Sequence, residues 1–220
     1  MKVLCIGSKC FAATLLKKLR HEGTLEEIHT PINNVDVMGG FSDCHKYFDG
    51  TFERELLSDY VKFSYKFRPD IRSHHHFYTE SYHFPHLDLF NNSSFDKIRM
   101  RYEETKQFID NPTDDYFYFV TLHSSDMDLS VEEIKNEIDK LSKYIDTDRI
   151  IYIGSIPYIG AEKNIKGCPV TNIKYSFVND NFRKVVGDRY IEIYPSNCYD
   201  VASEELLNKV KVLIQKYIAE

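Results

Sequence analysis

The thiol of Cys10 has the local setting in this sequence that best suits covalent chemistry. An apolar run at residues 3–6 predicts a buried strand, which Gly7 and Ser8 interrupt. From Phe11 the apolar residues recur at helical spacing, so Cys10 falls at the first turn of a predicted helix. Unpaired backbone N–H groups and the helix dipole favour negative charge there and push a thiol toward thiolate. We therefore predict a nucleophile that forms a thioester or other covalent adduct, the structural alternative being a small residue packed in a tight turn.

Two histidines are candidates for the base that activates this thiol. His86 stands close to Asp88 in the chain, and that carboxylate would fix the tautomer of the imidazole ring. His123 directly follows a long apolar run, residues 116–122, where a predicted strand ends. The spacing alone does not choose between the two histidines, and a packed or surface position is the structural alternative for each.

Anion-binding groups are predicted at two places. Backbone N–H groups around Gly7, Ser8 and Lys9 would hold the oxyanion that forms when a thiolate attacks a carbonyl. Arg99 and Arg101 lie on a predicted helix, where they either form a solvated face or hold an anionic substrate.

A histidine-rich stretch raises the question of a metal site. It contains His74, His75, His76, Glu80, His83, His86 and Asp88. Adjacent side chains of an extended chain point apart, and the stretch has no recognised zinc-ligand spacing. We therefore predict no metal site and read residues 73–90 as an irregular, well-packed loop.

Strands that alternate with helices must position these groups. Strands are predicted at residues 3–6, 116–122, 149–153 and 190–194, with an edge strand at 60–67; helices are predicted from Phe11, over 95–109, from a Ser130–Glu133 capping box, and over 206–217. This alternation predicts a three-layer, Rossmann-like α/β fold with a mostly parallel sheet, helices on both faces and an irregular His/Tyr-rich insertion. Cys10, His123 and residues 154–155 are expected at the carboxyl ends of the strands, where such folds bind ligands.

Length, charge and cysteine usage limit the classes of protein to which this chain can belong. The 220 residues fit one α/β domain, with residues 24–92 as a loop-rich insertion. A net charge of −6 argues against nucleic-acid binding through phosphate contacts, and no apolar run approaches the ~20 residues that cross a bilayer. The five cysteines are scattered without a CxxC pair, and the N-terminus has no signal-peptide pattern, which together predict a reducing cytoplasm.

The chain resembles a bacterial family of papain-like cysteine peptidases of unknown function over roughly residues 1–155. The matching segments are the opening Cys5-Ile6-Gly7-Ser8-Lys9-Cys10, Pro31, His86-Leu87-Asp88, residues 97–102 and Phe119-Val120. The opening also resembles that of capsule-polysaccharide acetyltransferases, which bind coenzyme A and carry a Gly-Asn-Cys-Gln turn after their first strand. Both resemblances imply a reactive Cys10 with a histidine partner.

These observations together predict a cytoplasmic acyltransferase or hydrolase that acts through Cys10, with His86 as base and Asp88 as its orienter. A small molecule or saccharide is the expected substrate, which would place the enzyme in polysaccharide or cell-surface metabolism. No cofactor is required, and a coenzyme A thioester is a candidate co-substrate. The alternative is a non-catalytic Rossmann-like domain that binds a nucleotide, coenzyme A or a sugar in the same crevice.

Overall fold

The computed structural model describes residues 2–7, 18–19, 27–29, 40–57, 62–66, 74–78, 83–84, 92–110, 116–122, 126, 128–155, 180–193 and 204–218. The strands are β1 Lys2–Gly7, β2 Glu27–His29, β3 Lys62–Lys66, β4 His74–Tyr78, β5 His83–Phe84, β6 Tyr116–Leu122, β7 Ile150–Ser155 and β8 Tyr190–Ile193. The α-helices are α1 Thr51–Leu57, α2 Asn92–Asp110, α3 Val131–Leu141, α4 Asp180–Val186 and α5 Glu204–Ile218. Among the described residues, 3₁₀ helices span Phe41–Tyr47, Thr147–Arg149 and Gly187–Arg189.

Five of these strands form one parallel sheet in the order β2-β1-β6-β7-β8. The predicted α/β class is therefore confirmed. β6 lies in the middle of the sheet, as its apolar sequence predicts, because a strand buried on both faces carries apolar residues at successive positions. Tyr118, Phe119, Val120 and Leu122 of this strand are all buried.

A second, antiparallel sheet has the order β3-β4-β5. β3 confirms the strand predicted over residues 60–67, but the irregular loop predicted over residues 73–90 is wrong, since β4 and β5 lie within it. The consecutive histidines and aromatic residues of β4 show no polar–apolar alternation, although aromatic residues favour extended strands. The edge strand β2 was also missed, because its three residues are too few to show a period. The assignment of all 220 residues to one domain stays a prediction.

Both faces of the parallel sheet carry buried side chains. One set, alternating along the strands, belongs to a single core cluster: Leu4, Ile6, Tyr118, Val120, Leu122, Ile150, Tyr152 and Tyr190. The intervening set is also buried: Val3, Cys5, Phe119, Ile151, Ile153 and Ile191. Because successive residues of a strand point to opposite faces, each face of the sheet must be covered.

The helices follow the sequence signals with two exceptions. Helix α2 ends at Asp110, directly before Asn111-Pro112, because a proline disfavours the helical conformation of the residue before it. Helix α3 begins with the predicted capping box between Ser130 and Glu133. α1 and α4 were not predicted, because the seven residues of each hold too few turns to show a helical period. Among the described helices, none is long and apolar enough to cross a membrane.

Candidate active site at the carboxyl edge of the sheet

Most residues predicted to act in catalysis lie outside the described part of the chain. These are Ser8, Lys9, Cys10, His86, Asp88 and His123. Gly7, Arg99 and Arg101 are described, as are Lys18 and Leu19 at the end of the helix predicted from Phe11. The roles assigned to all these residues stay predictions.

The described strands do define the edge at which Cys10 and His123 were expected. Gly7, the last residue of β1, pairs with Thr121 of β6, and Leu122, the last residue of β6, pairs with Gly154 of β7. Because the sheet is parallel, the carboxyl ends of these three neighbouring strands meet at one edge. Ser8 directly follows β1 in the sequence, and His123 directly follows β6.

The order of the strands also reverses at this place. Counted along the chain, the parallel strands lie in the order 2-1-3-4-5, so the connections run outward in opposite directions from the boundary between β1 and β6. Loops at the carboxyl ends of such strands diverge and leave a crevice, and open α/β sheets bind their ligands there.

A buried carboxylate lies soon after β6 in the chain. Asp126 is 4% exposed, and its Oδ1 accepts a hydrogen bond from the backbone N–H of Phe41 at 2.9 Å. The contact attaches the beginning of the 3₁₀ helix Phe41–Tyr47 to the segment after the central strand. A Cβ added at Gly40 would lie only 3.2 Å from the same oxygen, so glycine permits this close approach.

A second buried carboxylate, Glu137 of α3, holds the same 3₁₀ helix at its middle. Its Oε1 accepts hydrogen bonds from the backbone N–H of His45 at 3.3 Å and lies 2.5 Å from Nδ1 of the His45 ring. Its Oε2 accepts from Nζ of Lys140 at 3.2 Å. The side chain of Glu137 is 3% exposed and that of His45 16%. These partners compensate the loss of water around the buried carboxylate.

Cys44 lies in the same helix and is an unsuitable nucleophile. Its side chain is fully buried, and its Sγ lies 3.7 Å from the carbonyl oxygen of Gly40. Burial raises the pKa of the Cys44 thiol well above its usual value, and the carboxylates of Asp126 and Glu137 raise it further. Cys5 is buried within β1, as expected for the apolar run at residues 3–6. Neither cysteine offers the reactive setting expected for Cys10.

Arg99 and Arg101 lie on helix α2. Nε of Arg99 donates to Oε1 of Glu103 at 2.9 Å, and more than half of each side chain is exposed. Such a pair is typical of a solvated helix face and contributes little to stability. Arg101 is half-buried.

Sequence reasoning missed the cluster formed by Asp126, Glu137 and His45. Glu137 lies three residues after Ile134 and four before Leu141, so helical spacing places it on the apolar face of α3, and only its charge suggested contact with solvent. For Asp126, the nearest signal was the polar run from His123 to Asp126 directly after the central strand.

The absence of a metal site from the histidine-rich stretch stays a prediction. His74, His75 and His76 are consecutive in β4, and His83 begins β5. Among the side chains that the structure describes, no group of three or more His, Cys, Asp and Glu residues could hold a metal ion.

Comparisons with protein-family models, with curated proteins and with solved structures return no match, so function is inferred from this chain's own residues and strand order.

Proposed function

We propose that this chain is a cysteine-dependent acyltransferase or hydrolase whose nucleophile, Cys10, acts at the carboxyl edge between β1 and β6. The observation that carries the proposal is the reversal of strand order at this boundary. Cys10 follows β1 closely in the sequence and His123 follows β6 directly, so two neighbouring strands lead into the residues needed for nucleophilic catalysis.

A three-layer, Rossmann-like arrangement supports this location of the crevice. The core cluster on one sheet face receives Ile98, Ile134 and Phe182 from α2, α3 and α4. Leu19 and the α5 residues Leu207, Val210 and Ile214 are buried outside that cluster. Right-handed crossovers in a 2-1-3-4-5 sheet place the helices that follow its first and last strands on one face and the other connections on the opposite face. The distribution of buried residues agrees with that division.

The strand order favours His123 as the base. His123 follows β6, the neighbour of β1, whereas His86 follows β5 in the other sheet. We therefore assign proton transfer to His123 and retain the His86–Asp88 pair as the alternative base and orienter. This choice rests on which strands are neighbours.

The proposed reaction begins when the base removes the proton from the thiol of Cys10. The thiolate then forms a bond with the acyl carbon, and backbone N–H groups of Ser8 and Lys9 stabilise the oxyanion. The bond to the leaving group breaks, and the protonated base returns the proton to that group. Water or an acceptor hydroxyl then attacks the thioester, loses its proton to the base and releases Cys10.

The substrate is proposed to be a small molecule or saccharide in the cytoplasm. A coenzyme A thioester could supply the acyl group, since it carries an activated acyl carbon and leaves as a thiolate. No further cofactor is required for this chemistry.

Alkylation by iodoacetamide, mapped peptide by peptide across a pH series, tests whether Cys10 is activated. We expect Cys10 to react fastest and to have an apparent pKa below the ordinary thiol value of about 8.5. Buried Cys44 is the internal control and should react slowly. His123→Ala should raise the apparent pKa of Cys10, and His86→Ala should leave it unchanged. An ordinary or raised pKa of Cys10 in the unaltered protein would contradict the proposal.

An activated acyl donor tests the covalent step. With p-nitrophenyl acetate, we expect a burst of nitrophenol and an acetyl group on Cys10 by mass spectrometry, both absent in Cys10→Ala. Thermal-shift screening with coenzyme A, nucleotides and sugar nucleotides distinguishes the non-catalytic alternative. Ligand-induced stabilisation without any acyl-enzyme would indicate a binding domain and refute the catalytic role.

A further inference from the structure

A groove at the far edge of the parallel sheet is separate from the proposed active site. It lies between the α4–β8 segment and helix α5 and has a volume of about 750 Å³. The strand residues in it are Tyr190 and Ile191, at the amino end of β8. In a parallel sheet the amino ends of the strands lie opposite their carboxyl ends, so the groove lies away from the crevice between β1 and β6.

Positive charge is concentrated around the groove. Arg183, Lys209 and Lys216 line it together with a single carboxylate, Asp188. Nζ of Lys216 lies 3.9 Å from Oδ2 of Asp188. The described lining therefore has an excess of two positive charges, although the whole chain has a net charge of −6. Such a local reversal of charge favours an anionic ligand.

Apolar side chains complete the lining. Tyr190 and Ile191 are each 6% exposed, whereas Val212 of α5 is 63% exposed. Leu213, next to Val212, is half-buried and also faces the groove. An apolar surface bordered by cations suits a molecule with an apolar body and an acidic head group.

The size of the groove favours a small molecule over a protein. Its volume lies within the ~300–1,000 Å³ of typical ligand sites. About ten described residues line it, whereas a stable protein interface uses about 20–30 residues on each side.

We propose that this groove binds an amphiphilic anion: a small molecule with a carboxylate or phosphate head group and a short alkyl or aromatic body. Arg183, Lys209 and Lys216 attract the head group, and Val212 and Leu213 contact the apolar body. The site is independent of Cys10, because the groove lies at the amino end of β8, whereas Cys10 follows the carboxyl end of β1.

Titration calorimetry with three eight-carbon probes below their micelle concentrations tests the proposal. We expect saturable binding of octyl phosphate or octanoate, and binding of the uncharged octyl glucoside at least about tenfold weaker. The stronger of the two anions identifies the head group. Equal binding of all three probes, or no saturable binding of either anion, would overturn the proposal.

Charge-reversal variants locate the site. Arg183→Glu and Lys209→Glu should each weaken anion binding by about tenfold or more. Lys184→Glu and Lys211→Glu are the matched controls, because each changes the net charge equally on the same two helices but lies outside the groove lining. Equal weakening by lining and control variants would indicate attraction by general charge and refute the site. Cys10→Ala should bind the anion normally, so this test stands or fails separately from the proposed catalytic function.

Discussion

Removing one buried hydroxyl group should make this protein more stable. The Tyr152 hydroxyl is buried and has no hydrogen-bond partner among the described residues. The Tyr152 ring lies edge-on to Phe41 and tilted against Phe182, with ring centroids 5.9 Å apart in both pairs. Tyr152→Phe keeps both ring contacts and removes only the hydroxyl. A buried polar group without a partner costs about 1–3 kcal/mol, so the free energy of unfolding should rise by about that amount.

Urea denaturation followed by circular dichroism measures this change, and thermal unfolding gives a second reading. For a chain of this size, the midpoint temperature should rise by about 2–4 °C for each kcal/mol. Tyr102→Phe is the matched control, because the Tyr102 hydroxyl donates to Oε2 of Glu53 at 3.4 Å and its ring packs against Phe52. This control should lower stability by about 0.5–1.5 kcal/mol.

The pH dependence gives the same prediction an independent check. Burial raises the pKa of Tyr152 above its ordinary value of 10.0. The folded state then keeps a proton that the unfolded state releases, so this contribution to stability is present below pH 10 and is lost as the pH rises further. Tyr152→Phe should remove a slope of up to about 1.4 kcal/mol per pH unit above pH 10. A Phe variant less stable than the unaltered protein by about 1 kcal/mol would show that the hydroxyl has a partner, such as a bound water, and would refute the reasoning.

Two further predictions concern the 3₁₀ helix Phe41–Tyr47. Because burial raises the pKa of Cys44, the contribution of this thiol to stability is present below the unfolded thiol pKa and falls by up to about 1.4 kcal/mol per pH unit above about pH 9. Cys44→Ser should make the alkaline loss of stability, measured by urea titration, shallower by that slope. An unchanged slope would contradict the raised pKa of Cys44. His45→Ala should lower the free energy of unfolding by about 1.5–3 kcal/mol, since it removes a charged hydrogen bond to buried Glu137. A double-mutant cycle with Glu137→Gln should show a coupling energy between the two side chains of at least about 0.5 kcal/mol. Lys140→Ala, whose side chain is 40% exposed, is the control and should cost under about 1 kcal/mol, so an effect equal to that of His45→Ala would argue against a special role for the histidine.

Elements with strong local patterns could be predicted from the sequence. Strand β6 is apolar at successive positions, and the Ser130–Glu133 capping box marks the beginning of α3. β4 could not be predicted in the same way, because a run of histidines and aromatic residues has neither the strand nor the helix period. Its pairing with β3 depends on backbone hydrogen bonds that side-chain polarity does not encode.

Only part of the candidate site, likewise, could be predicted from the sequence. Local patterns predicted that Cys10 follows one strand and His123 another, and the sheet shows that these two strands are neighbours. The contact between His45 and Glu137 joins residues 92 positions apart, and no period in either segment indicates it. Contacts of this kind depend on the tertiary arrangement of helix and sheet.

The anchoring of the 3₁₀ helix Phe41–Tyr47 has a consequence for synthesis on the ribosome. The amide of Phe41 depends on an acceptor 85 residues later in the chain, and His45 on one 92 residues later. β1 likewise pairs with β6, which is made much later. Chain closure over such distances has a high entropic cost and slows folding. The first half of the nascent chain therefore lacks these partners until α3 has left the exit tunnel, and a fragment that stops at the end of β6 would lack both acceptors permanently.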